Sequence, residues 1–153
     1  MAANTMINIQ FMNAQHIEEI LQIEFDAFTT PWTRNDFNSE LANNNAIYIV
    51  ASENNNVIGY AGMWHVINEG HILNVAVKAE NRKQGVGTLL ISELVNIAIE
   101  KEMIGLTLEV RESNTAALQL YQKFGFKAEG IRKRYYSDPS EDAVIMWKYL
   151  QQE

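Results

Sequence analysis

The chain predicts a mixed α/β fold of the α+β kind, a mostly antiparallel sheet of about seven strands with about four helices. Two observations carry this. Ala46–Ser52 and Val57–Val66 are β-rich and joined by Glu53-Asn54-Asn55-Asn56, which reads as a hairpin. Strands alternate with helices only in the second half, so the order β-α-α-β-β-β-α-β-α-β-β points to a mixed sheet covered by helices and not to a doubly wound parallel one.

Each element has a local reason. Ile7, Ile9 and Phe11 alternate, which predicts a strand as the first element. Asn13 is placed to cap a helix whose apolar stripe is Ile17, Ile20, Leu21, Phe25 and Phe28. Thr29-Thr30-Pro31-Trp32 breaks that helix, and Thr33 with Asp36 forms a capping box for a second, which buries Phe37 and Leu41 and stops at Asn43-Asn44-Asn45. After the hairpin comes a strand over His71–Val77, then the longest helix, from Val86 to about Glu102, apolar on most sides and hence well buried. Leu106–Val110 is a strand. Ser113 or Asn114 starts a helix ending at Phe124, with Gly125 where a left-handed C-cap belongs. Two strands, about Phe126–Arg134 and Ala143–Tyr149, close the chain around a turn at Ser137–Asp142.

Residues 1–153 read as a single domain, with no linker, repeat or low-complexity tract. The count of 0 Cys removes disulfides, thiolate metal sites and cysteine nucleophiles, and fits a cytoplasmic protein. His16, His65 and His71 lack metal spacing, so no metal is expected. No apolar run approaches a membrane span, and Met1–Phe11 carries no secretory signal; Met1 and Met6 are both possible starts. The net charge of −7 argues against nucleic acid as a partner. The excess lies before His71, on Glu18, Glu19, Glu24, Asp26, Asp36, Glu40, Glu53 and Glu69 against Arg34 alone. That half is either a solvated acidic surface or the side that meets a cationic partner. Arg132-Lys133-Arg134, beside Asp138, Glu141 and Asp142, reads as a solvated hairpin.

The strongest chemical signal is Leu73-Asn74-Val75-Ala76-Val77 followed by Arg82-Lys83-Gln84-Gly85-Val86-Gly87-Thr88 and the long helix. A strand, a basic loop with two glycines and a helix N-terminus make an anion site suited to a pyrophosphate, because the first helical amides lack intrahelical acceptors. A Walker loop is excluded, since Gly87 is followed by Thr88-Leu89, and a dinucleotide fingerprint lacks its third glycine, where Leu90 stands.

Arg82-x-x-Gly85-x-Gly87 after Asn74-Val75-Ala76-Val77 resembles the acyl-coenzyme A loop of the GNAT acetyltransferase superfamily. Leu108-Glu109-Val110-Arg111-x-Ser113-Asn114-x-Ala116-Ala117-x-x-Leu120-Tyr121-x-x-Phe124-Gly125-Phe126 resembles its second signature. Pro31-Trp32, Ile131-Arg132-x-x-Tyr135-Tyr136 and Glu141-Asp142-Ala143-x-Ile145-Met146 are similar to the bacterial ribosomal-protein-alanine N-acetyltransferases, the RimI-type group. The resemblance implies a GNAT-like sheet and direct acetyl transfer from acetyl-CoA to a protein N-terminus, with a cationic ribosomal protein as partner. It also implies a cofactor-binding set made of the backbone of Val75, Ala76 and Val77, the loop residues Lys83, Gln84, Gly85, Val86, Gly87 and Thr88, and Asn114, with Arg82 flanking them. Glu109 matches the family's proton acceptor, Tyr121 its proton donor, and Tyr135 and Tyr136 residues that hold the substrate peptide.

Bland readings stand beside these. Glu109 alternates with Leu108 and Val110, and periodicity alone favours a polar-face residue pairing with Arg111. Tyr121 shares a stripe with Ala117, Leu120 and Phe124, and Asn114 is an ordinary cap. Tyr135 and Tyr136 would pack a hairpin, and Glu24 within its helix stripe is a partly buried carboxylate. Replacing Gly85 with valine is expected to weaken cofactor binding with little loss of folding. A GNAT enzyme for a small amine or another peptide, and a non-catalytic acyl-CoA-binding module, are the alternative functions.

Overall fold

The computed structural model describes residues 6–28, 30–137 and 139–150. The expectations that touch Met1, Thr29 and Asp138 lie outside them. The elements follow the expected order: β1 (Ile7–Phe11), α1 (Ile17–Ala27), α2 (Arg34–Ala42), β2 (Ala46–Glu53), β3 (Asn56–Val66), β4 (Glu69–Val77), α3 (Val86–Glu100), β5 (Gly105–Arg111), α4 (Thr115–Lys123), β6 (Lys127–Tyr136) and β7 (Glu141–Tyr149). Asn13 caps a 3-10 turn, Ala14–His16, that runs into α1, and the Thr33–Asp36 box opens α2. The β2–β3 hairpin turns on Asn54 and Asn55, both at positive φ, the geometry of a two-residue turn matched to the twist of its strands.

The seven strands form one sheet in the order β1-β2-β3-β4-β5-β7-β6. Every pairing is antiparallel except β4 with β5. That parallel pairing covers only Glu69–His71 against Gly105–Thr107. Beyond it β4 runs on to Val77 and β5 to Arg111 without meeting, and the sheet forks. The cause is visible in β4. Gly62 pairs with Asn74 and Met63 with Ile72, so Leu73 is an extra residue, and such a bulge bends and twists the strand that carries it.

Side chains alternate between two cores. On one face Ile49, Ala61, Met63, Ile72, Leu106, Leu108 and Val110 pack with α3 and with Tyr121 of α4. On the other, Tyr48, Val50, Tyr60 and Ala76 pack with Ile17, Ile20 and Ile23 of α1 and Phe37 of α2. The Tyr48 ring lies where any Cβ on Gly62 would stand, which makes glycine obligatory there. The expected α1 stripe is corrected. Ile17, Ile20, Ile23 and Glu24 are buried, whereas Phe25 is 71% and Phe28 40% exposed. At 100° per residue Ile20, Ile23 and Glu24 pull the buried arc about 130° away from Phe25, and α1 stops before Phe28. No helix among the described residues is long and apolar enough to cross a membrane.

Candidate functional site

Beside the fork, the β4–α3 loop and α4 enclose a cleft of about 520 Å³ lined by Val75 and Val77, by Asn81, Arg82, Lys83, Gly85, Val86, Gly87 and Thr88, and by Ala116, Ala117, Leu120 and Lys123. Gly85 is the N-cap of α3 at φ +82, and its own side offers no capping group. Leu89 N is the first amide to close a helical bond, to Gly85 O at 3.0 Å, so helix geometry leaves the amides of Val86, Gly87 and Thr88 without intrahelical acceptors. Their combined dipole and the cations Arg82, Lys83 and Lys123 give the mouth a positive potential, and Val75, Val77 and Leu120 give it an apolar wall. Arg82 Nε donates to Val77 O at 3.1 Å, which ties the loop to the last residue of β4.

Eight of the cofactor positions expected from the sequence line this cleft: Val75, Val77, Arg82, Lys83, Gly85, Val86, Gly87 and Thr88. The Ala76 side chain packs on the opposite face, among the residues that meet α1 and α2, and the contact expected of Ala76 is through its backbone. Gln84 turns its side chain onto Glu80 O and Asn81. Asn114 accepts from Ala117 N at 3.1 Å and acts as the cap of α4. Sequence reasoning missed Asn81, Ala116, Ala117, Leu120 and Lys123. The last four had a signal: the 116, 120, 123 spacing puts one face of α4 along the cleft. The folding expectation for Gly85→Val is also corrected, because a β-branched residue at φ +82 strains the backbone. Gly87 has no such conformation, and a Cβ there would reach Leu120 Cδ2 at 3.6 Å and Val77 Cγ2 at 4.0 Å, inside the cleft.

Glu109 sits on β5 two residues past its last pair with β4, on the face away from Leu108 and Val110. Its partner is Arg132 on β6, Nε to Oε1 at 3.2 Å, and not Arg111 as alternation suggested. Arg132 is therefore no free member of a solvated basic run. Arg111 instead spans to β7: it binds Glu141 at 3.3 Å, and its guanidinium lies 4.3 Å from the Tyr136 ring centroid. Ser113 N donates to Glu141 Oε2 at 2.6 Å, and these hydrogen bonds from Ser113 and Arg111 hold the Glu141 carboxyl below the ordinary carboxylate range. Asp142 accepts from Arg134 N at 2.8 Å. The Leu-Glu-Val-Arg-x-Ser and Glu-Asp-Ala segments thus form one lock between β5, β7 and the start of α4.

Tyr121 is 6% exposed, packs edge-on against Phe126 with ring centroids 5.5 Å apart, and has no hydrogen-bond partner among the described residues. Burial, with the Tyr136 hydroxyl nearby, raises its phenol far above the usual range, so it stays protonated at neutral pH. Tyr136 is pushed up to about 12, chiefly by burial. Tyr135 is 53% exposed and meets Tyr136 edge-on at 5.1 Å. Glu24 is fully buried, beyond the sequence expectation: it accepts from Trp32 N at 3.0 Å and from the Tyr60 hydroxyl, and burial raises its pKa despite both bonds. Among the described residues no group of His, Cys, Asp or Glu is placed to hold a metal.

Residues 17–126 match the acetyltransferase (GNAT) family model. A Bacillus subtilis relative, provisionally named a [ribosomal protein bS18]-alanine N-acetyltransferase, is 42% identical over 94% of this chain and 95% of its own. The Haemophilus influenzae [ribosomal protein bS18]-alanine N-acetyltransferase is 37% identical over 93% of this chain and 98% of its own. The crystal structure of the Escherichia coli ribosomal-protein-S18-alanine N-acetyltransferase superposes with a TM-score of 0.89 at 29% identity, over 97% of this chain and 96% of that one.

Proposed function

Because the chain belongs to the acetyltransferase (GNAT) family, we propose that it transfers an acetyl group from acetyl-CoA to the N-terminal α-amino group of a ribosomal protein that begins with alanine. The observation that carries this is similarity to bS18-alanine N-acetyltransferases over more than nine-tenths of each chain, joined to a forked sheet with a cationic cleft beside it. The whole chain acts as one N-acetyltransferase domain.

The cleft fits acetyl-CoA by chemistry. Arg82, Lys83, Lys123 and the open amides of α3 suit the pyrophosphate, and Val75, Val77 and Leu120 suit the arm that leads the thioester into the fork. The acceptor then approaches from the α1/α2 face, where Glu109 lies. A terminal ammonium has a pKa of about 7.7–8.0 and must shed a proton before it can attack. Glu109 takes that proton, directly or through a water, on the oxygen that Arg132 leaves open. The amine forms the new C–N bond and the C–S bond breaks; Tyr121 gives its proton to the departing sulfur and is reprotonated by the second proton the nitrogen loses on becoming an amide, while the proton on Glu109 passes to solvent. The chain needs no covalent enzyme intermediate, having no cysteine and no Gly-x-Ser-x-Gly elbow. Tyr135 and Tyr136, beside Arg132 and Arg111, hold the first residues of the peptide.

The acidic front half favours a cationic acceptor, although much of it already serves the fold. Glu18 binds Arg34, Glu19 binds Val57 N, Glu40 binds Trp64 Nε1 and Asp36 caps α2. The test offers the protein acetyl-CoA with Ala-initiated ribosomal peptides, polyamines and aminoglycosides. Acetylation of the peptide α-amine is expected, with a peptide KM that rises with salt because exposed charges are screened within about 10 Å at 0.1 M. Transfer to polyamines or aminoglycosides alone would refute the proposal.

A further inference from the structure

Resting on that reading of the acceptor side, we propose that Asn74 positions the acceptor amine through its carbonyl oxygen, and that Tyr60 and Glu24 act through Asn74 by fixing which way its amide points.

Asn74 and Glu109 flank the fork at similar height. Asn74 is three residues past His71 on β4 and Glu109 two past Thr107 on β5, so at about 3.3 Å per residue they stand roughly 10 and 7 Å beyond the last shared pair. They share a face. Asn74 is in phase with Ala76, which packs on the α1/α2 side, whereas Val75 and Val77 line the cleft. Glu109 is out of phase with Leu108 and Val110, which pack on the α3 side.

The orientation of the Asn74 amide follows from counting protons. Glu24 spends Oε1 on Trp32 N, at 3.0 Å, and Oε2 on the Tyr60 hydroxyl. Tyr60 has one proton, and it goes to Glu24. Toward Asn74 the Tyr60 oxygen can only accept, so the NH2 group faces it at 3.3 Å. The Asn74 carbonyl oxygen therefore points away and has no protein donor among the described residues. Asn74 is half-buried, so that oxygen can meet an incoming group. A terminal amine that has given one proton to Glu109 keeps two N–H bonds. Accepting one of them at Asn74 turns the nitrogen lone pair toward the thioester. Glu24 itself is sealed and 2% exposed, which leaves it a positioning role.

The experiment measures peptide KM, kcat and acetyl-CoA Kd for wild type, Asn74→Ala, Tyr60→Phe and the double variant, with melting temperatures alongside. Asn74→Ala should raise the peptide KM about tenfold, the scale of one hydrogen bond to a charged or polarised donor, and leave acetyl-CoA affinity unchanged. Tyr60→Phe should raise it less, and the double variant should match Asn74→Ala, since Tyr60 works through the amide. Unchanged peptide KM in folded Asn74→Ala would overturn the proposal, as would additive effects in the double variant. If Tyr60→Phe does not fold, the Asn74→Ala result decides alone. A wild-type protein that transfers nothing to peptides overturns the acceptor reading itself, and this proposal with it.

Discussion

On the proposed mechanism, Glu109→Gln removes the general base while keeping the size and hydrogen-bonding reach of the side chain. The structure sets the stability side of the comparison. The only ion pair Glu109 makes among the described residues is with Arg132, and their side chains are 29% and 56% exposed. An exposed pair of this kind contributes about 0–1 kcal/mol, so the melting temperature should move little. The catalytic side is far larger. A positioned general base is worth on the order of 10²–10⁴-fold in rate, about 3–5 kcal/mol of barrier. The assay is turnover on an Ala-initiated peptide against pH, for wild type and variant, with thermal unfolding and acetyl-CoA binding as controls. The variant should lose at least about a hundredfold near neutrality and recover part of it as pH rises past about 8, where the terminal amine deprotonates unaided. Acetyl-CoA affinity should not change, because Glu109 lies on the opposite face from the cleft. Superimposable pH profiles would refute the assignment and leave Glu109 as half of a surface pair.

Other expectations follow from the same geometry. Gly87→Val places its branches against Leu120 and Val77 inside the cleft without backbone strain, so acetyl-CoA Kd by calorimetry should rise at least about tenfold while the fold persists; wild-type affinity would move the pyrophosphate elsewhere. Tyr121→Phe deletes a hydroxyl with no hydrogen-bond partner among the described residues, so on the proposed mechanism turnover should fall about 10²-fold or more with a near-normal melting temperature. Glu141→Gln tests the β5–β7 lock through pH. The folded pKa of Glu141 is lowered, so its contribution is present above the ordinary carboxylate value of 4.5 and is lost as pH falls through the folded value. The variant should therefore melt below wild type at pH 7, and the gap should close in acid; a gap independent of pH would mean the carboxylate charge is idle.

Much of this molecule was legible in one dimension because its signals are local. Thr33 with Asp36, Asn13, Asn114 and Gly125 each satisfy backbone groups within a few residues, and Asn54-Asn55 adopts the positive φ that a two-residue turn requires. The basic loop after Val77 is local too, so the glycines and cations that line the cleft could be picked out before any fold was known. Contacts between distant segments were not legible. Alternation gave Glu109 a neighbour at Arg111, but two residues apart on a strand are nearly 7 Å apart, and the sheet order sent each to another strand: Glu109 to Arg132, Arg111 to Glu141 and Tyr136. The α1 stripe failed for the same reason, since the burial of Ile23 and Glu24 depends on what β3 and α2 offer. Periodicity records which residues share a face. Only the tertiary structure decides what that face meets: the bulge at Leu73, far in sequence from β5, puts Asn74 on the α1/α2 face, the face on which Glu109 lies through the alternation of β5.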